Sequence, residues 1–120
     1  MAIDHTAIQP QGGTTSAIKS ATLDGTPANA TEINPPTWAA RVTVRLVTAA
    51  GANDSGNFAF EGTDGAAIDA DNFPIASGEA FSVSTSMVGR NLDAGAAFFL
   101  TAAGASSAAR IVYERESRGT

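Results

Sequence analysis

Between residues 64 and 72 the chain brings together Asp64, Asp69 and Asp71, with Asn72 beside them, in a run otherwise rich in Gly and Ala. Carboxylate and amide oxygens are hard donors, and on a tight loop they can ligate Ca²⁺. The spacing Asp69-Ala70-Asp71 is that of the opening of a calcium loop. The pattern then fails, because Pro74 stands where such a loop needs Gly and Ala80 where it needs the closing Glu. Asp and Asn are also the residues that make turns, by bonding their own backbone two residues on. Turn chemistry is therefore the preferred reading, and the expectation is of no metal and no cofactor.

Other chemistry is thinner. The single His, His5, lies in an N-terminal segment broken by Pro10 and by Gly12-Gly13. Read as part of an arm, it has nothing to orient it as the base of a Ser-His-Asp arrangement. There is no Gly-x-Ser-x-Gly elbow and no Gly-rich loop ending in Gly-Lys-Ser/Thr to cradle a phosphate. Nothing among the 12 acidic residues singles out a pair for acid–base work. The expectation is of a protein that is not an enzyme. What remains is binding: Arg41 and Arg45 fall on one outer face of a strand, and Arg110 falls in a second alternating strand. Trp38 stands just before the first of these strands, as a packing anchor or a partner contact.

The bulk numbers agree with a binding role. A chain of 120 residues is one domain, large enough to bury a core without disulfides or metals. It has no Cys, so neither a disulfide framework nor a thiolate site is open to it. A net charge of −5 argues against a nucleic-acid partner. Charged residues make up only 16 %, below the usual quarter, and a surface so poor in charge suits assembly with something else. No apolar run approaches the roughly 20 residues of a membrane span. The opening MAIDHTAIQPQGG has neither the positive region nor the apolar block of a signal peptide, so the Asn29-Ala30-Thr31 sequon is read as chance.

The elements that carry these residues are strands. Residues 1–14 read as an extended arm and 15–120 as the domain. Ser16 to Leu23 is a candidate edge strand, with Lys19 as its guard. Asp24 to Pro36 reads as turns. Arg41 to Thr48 alternates cleanly, with Val42, Val44 and Leu46 on the inner face. Asn57 to Glu61 places Phe58 and Phe60 inward, a Gly turn follows, and Ala66 to Ile68 is a short strand. Phe73-Pro74-Ile75 belongs at an edge, because Pro cannot donate to a ladder. Ala80 to Val88 alternates, with Phe81 and Val83 joined by Thr85 and Met87 on one face; residues 89–95 form a loop in which Leu92 folds back. Ala96 to Ala102 is apolar on both sides and therefore central, and Ala108 to Glu116 puts Ala109, Ile111 and Tyr113 on one face. The tail from Ser117 is expected to fray. About seven short antiparallel strands with turns roughly every ten residues describe an all-β domain, a single small β-sandwich or jelly-roll-like barrel. The expected core is Val42, Val44, Leu46, Phe58, Phe60, Ile68, Phe81, Val83, Phe98, Leu100 and Ile111.

Four segments carry a family likeness: Arg41-Val42-Thr43-Val44-Arg45-Leu46, Asn57-Phe58-Ala59-Phe60-Glu61-Gly62, Phe73-Pro74-Ile75-Ala76-Ser77-Gly78-Glu79 and Ala109-Arg110-Ile111-Val112-Tyr113-Glu114. In this order they resemble small β-sandwich capsid decoration or cement proteins, or head-fibre bases, of tailed bacteriophages. The resemblance runs from about residue 40 to residue 116; residues 1–39 match less well. It implies a structural virion protein, assembled in the bacterial cytoplasm and carried on the capsid surface. Its partner would be the major capsid protein, and it would be a homo-oligomer, with a trimer favoured. His5, Ile8, Trp38, Arg41, Arg45 and Arg110 are the candidate capsid or subunit contacts. The alternatives are a tail or head–tail connector protein and, in another class, a carbohydrate-binding β-sandwich module stacking sugars on Trp38 and Tyr113.

Overall fold

The computed structural model describes residues 2–84 and 97–115. The expectations for Thr85, Met87, Leu92 and the tail from Ser117 lie outside the described residues. Among the described residues there are nine strands: β1 (Ile3–Asp4), β2 (Ser16–Thr22), β3 (Thr31–Asn34), β4 (Ala39–Val47), β5 (Gly56–Ala59), β6 (Phe73–Ile75), β7 (Ala80–Ser84), β8 (Phe98–Ala102) and β9 (Ala108–Arg115). They form two sheets, ordered β1-β3-β8-β5-β6 and β2-β9-β4-β7. Every pairing is antiparallel except β1 with β3. The sheets pack face to face as a small β-sandwich.

Alternation explains the core. On β4, Val42, Val44 and Leu46 are fully buried, and on β9 Ala109, Ile111 and Tyr113 are. Across the sandwich they meet Ile33, Phe58, Phe98 and Leu100 in one cluster. Strand β8 is buried along its whole length. Its inner residues Phe98 and Leu100 join that cluster, while Phe99 on the outer face is covered by a second one with Ala30, Ala59 and Ile68. The β5–β6 connection is what lies over it: a Cβ on Gly62 would sit 3.4 Å from the Phe99 ring. At Gly56 the backbones come closer still. A Cβ there would stand 1.9 Å from the Thr101 carbonyl oxygen and 2.6 Å from Leu46 Cδ1, so only glycine fits.

Several expectations need correction. Thr31 to Asn34 is a strand, not a turn. Its residues are short and polar, but Ile33 is fully buried and the ladder to β8 is regular. Strand β5 ends at Ala59, so Phe60 escapes the alternation that would have buried it and is 59 % exposed. Ala66 to Ile68 makes only an isolated bridge, Ala67 to Asn29. Ile68, Phe81 and Val83 are half-buried against the core. In β2 the inward face belongs to Ala17 and Ala21, while Ile18 points out and is 64 % exposed. Phe73-Pro74-Ile75 is an edge strand, paired only with β5 among the described residues.

The N-terminal residues are laid onto the domain. β1 pairs with β3, and the His5 amide donates to the Asn34 carbonyl at 2.8 Å. Ile8 packs against the core, and its carbonyl accepts the Trp38 Nε1–H at 2.8 Å. Gln11 then turns the chain into β2, its side-chain oxygen accepting the Ile18 amide. The segment thus ties the edge of one sheet to the edge of the other.

Candidate functional site

Sequence reasoning placed possible chemistry on the loop acids and on His5, and the structure commits both to the fold. The Asp64 carboxylate accepts the Glu32 amide at 2.8 Å, which holds its pKa below the ordinary value. Asp69 accepts the Asp71 amide at 2.8 Å, and the Asn72 amide nitrogen donates to the Asp69 carbonyl. The Asp69 and Asn72 bonds are turn bonds of the kind Asp and Asn make, whereas the Asp64 bond ties the loop to β3. Among the described residues no three acidic or His groups come together as a set that could hold a metal ion.

His5 is buried, and its Nδ1 lies 2.6 Å from the Tyr113 hydroxyl. Burial raises the Tyr113 pKa well above that of a free phenol, so the hydroxyl keeps its proton. The two groups share one hydrogen bond, whose direction is set by the imidazole tautomer. Its own pKa is lowered, first by burial and then by the nearby Lys19 charge, with Asp4 opposing. The rings meet edge to face at 5.6 Å. The pair fastens the end of β1 to β9.

A second buried polar group was not foreseen. Asp54 Oδ2 accepts the Ser107 hydroxyl at 2.6 Å and the Gly104 amide at 3.0 Å, while Oδ1 accepts the Ser55 amide at 2.8 Å. Desolvation pushes this carboxyl up, but the three donors outweigh it and hold the pKa below its ordinary value. The group locks the β4–β5 loop onto the β8–β9 turn. Its only sequence signal was an Asp in a Gly/Asn loop, which any turn could explain.

The proposed sugar-stacking aromatics are not free either. Tyr113 is fully buried. Trp38 is half-buried, bonded to Ile8, and capped by the Arg115 guanidinium 5.6 Å from its ring. His5, Ile8 and Trp38 thus serve the fold, His5 buried and Ile8 and Trp38 half-buried.

The arginines behave differently. Strand register puts Arg45 directly opposite Arg110, and Arg41 opposite Glu114, on the outer face of the β2-β9-β4-β7 sheet. Like charges directly opposite one another disfavour the pairing. Arg41 turns from Glu114 to the Ser82 hydroxyl at 3.1 Å, and Arg45 reaches the Asn53 side-chain oxygen at 2.8 Å. Among the described residues none of the three guanidinium groups is paired with a carboxylate. Between them lies a less polar stripe in which Ile18, Val112, Thr43 and Ser82 stand in register.

Two surface hollows lie among the described residues. A shallow open groove of about 970 Å³ runs over Pro27, Ala28, Ile68, Pro74 and Ala102, with Glu79 its one charged residue. A cleft of about 410 Å³ is lined by Phe58, Phe60, Phe73 and Phe81, with Asp71 and Asn72 at its rim. Neither holds a nucleophile beside a base. No family model matches the chain, and no curated protein and no solved structure matches it.

Proposed function

We propose that this chain is a structural protein of a tailed-bacteriophage particle, carried on the outside of the head, where it binds the major capsid protein and braces the lattice. The segments between residues 40 and 116 that resemble decoration proteins support this reading. The observation that carries it is the row Arg41, Arg45 and Arg110. Three cations that pair with no carboxylate among the described residues share one sheet face, where Glu114 stands in register with Arg41, on a protein of net charge −5. The opposed Arg45 and Arg110 repel each other, and an acidic partner that covers them relieves the repulsion.

The mechanism is mass action. A protein that binds only the assembled lattice lowers its free energy by about 2.7 kcal/mol per site at a hundredfold excess over its dissociation constant. Bridging two capsomers makes the second contact intramolecular, so weak contacts accumulate.

Co-sedimentation with purified heads tests the reading. Wild-type protein pellets saturably with heads and raises their melting temperature. Arg45→Glu combined with Arg110→Glu stays in the supernatant while remaining folded. Wild-type protein that never pellets with heads overturns the proposal. Copy number separates the connector alternative: many copies spread over the head mean decoration, and a single ring means a connector. Truncating residues 2–8 is not a clean test of contacts, because it strips His5 and Ile8 from the fold.

A further inference from the structure

The unpaired arginine face has a counterpart on the same molecule. Ile18, Phe60 and Phe73 are the large apolar side chains most exposed among the described residues, at 64 %, 59 % and 58 %. Ile18 lies on the arginine face. Phe60 and Phe73 wall the smaller cleft, where the edge strands β6 and β7 of the two sheets meet.

The rings run as a continuous series from core to surface. Phe98 stacks on Phe58 at 5.3 Å, Phe58 meets Phe81 at 4.8 Å and Phe60 edge-on at 5.1 Å, and Phe81 stacks on Phe73 at 5.0 Å. The outer rings are therefore held in place from below. At the rim stands Asp71, exposed, with only its backbone amide engaged and no partner on its carboxylate among the described residues. Glu61, Asp64 and Asp69 belong to the same β5–β6 connection.

Fixed aromatic faces beside a free carboxylate form a receptor for a guanidinium group: the rings attract the cation, and the carboxylate accepts its N–H groups. The other surface supplies guanidinium groups that lack such a partner, around an exposed Ile18. We infer that these two surfaces dock on each other between copies of this chain, an arginine of one copy entering the Phe60–Phe73–Asp71 cleft of the next. The surfaces are different, so the contact is heterologous: it leaves a free cleft on the copy that gives the arginine and a free arginine face on the copy that receives it.

This inference rests on reading the arginine face as an assembly surface, but its test uses the protein without heads, so the two fail separately. Sedimentation equilibrium of the full chain shows concentration-dependent association that weakens as salt is raised to about 0.5 M. Two variants each weaken it by at least about tenfold: Arg45→Glu with Arg110→Glu on the face, and Asp71→Arg with Phe73→Ser in the cleft. Mixed in equal amounts, the two variants form a one-to-one complex, because the first retains a cleft and the second retains a face. Unchanged circular dichroism and melting temperature confirm that both are folded. A wild type that stays monomeric, association that neither variant weakens, or a mixture that restores no complex each overturns the inference.

Discussion

The His5–Tyr113 side of the sandwich and its arginine face use the same kinds of residue to opposite ends. On the first, an imidazole and a phenol are buried and bonded, as is the Asp54 carboxylate at the other end of β9. Among the described residues no buried side-chain nitrogen or oxygen lacks a partner. On the second, cations stand opposite each other in register, and large apolar groups are exposed there and in the adjoining cleft. A buried polar group without a partner costs the fold directly, so it must be satisfied within the chain. An exposed one can wait for a partner. Substitutions in the first region should therefore unfold the protein without touching association. Those in the second should do the reverse.

The largest effects fall in the core that both regions share, where Phe58 underlies the aromatic cleft. Phe58→Ala removes the ring on which Phe98, Phe81 and Phe60 pack, and should cost about 3–5 kcal/mol in urea unfolding. Phe60→Ala, two residues on but exposed, should stay within about 1 kcal/mol. Equal costs would mean that the exposed ring is part of the fold after all. Gly56→Ala drives a methyl group into the Thr101 carbonyl and should lower stability by about 3 kcal/mol.

Next comes the fastener. Tyr113→Phe keeps the ring but strands His5 Nδ1, and should cost about 1–3 kcal/mol. Its pH dependence has a definite sign. The folded pKa of His5 is lowered, so the unfolded chain binds the proton more readily. The contribution is complete above the unfolded value near 6.5 and is lost as pH falls below it toward the folded pKa. Denaturant midpoints measured downward from pH 7.5 should fall in the wild type through this window, and His5→Gln should flatten that fall. The Asp54 carboxyl, held below its ordinary 3.8, contributes stability that is present above that value and lost below it. Acid therefore loosens the protein in two steps, first at the β1 fastener and then at the β8–β9 turn.

Period-two alternation made β4, β8 and β9 legible, because a strand with one buried face must repeat its apolar residues at that spacing. It failed where the strand stopped. Phe60 continues the pattern of Phe58, and nothing in the side chains marks Ala59 as the last residue of β5. Strand β3 was hidden because Thr31, Glu32 and Asn34 look like turn residues; only pairing with β8 makes them a strand. His5 was misread for a related reason. Pro10 and the Gly pair do break regular structure, but whether the residues before them dock depends on Tyr113, 108 positions away. The arginine row was visible as two residues on β4. That Arg110 stands opposite Arg45 needed the register.

The smallest effect on stability is the most telling for the comparison. Arg110→Thr removes one member of the opposed pair and puts a β-branched residue on a sheet face. Relief of repulsion and better strand propensity both act in its favour. The fold should therefore gain up to about 0.5 kcal/mol, the size expected of an exposed site. Association should move the other way, because the variant presents fewer cations to an acidic partner. A gain in stability coupled to a loss of binding is what a surface kept for a partner shows. If Arg110→Thr instead destabilises the chain and leaves association intact, the arginine belongs with His5 and Asp54 among the groups that hold the sandwich together, and the division between the two regions fails at this strand.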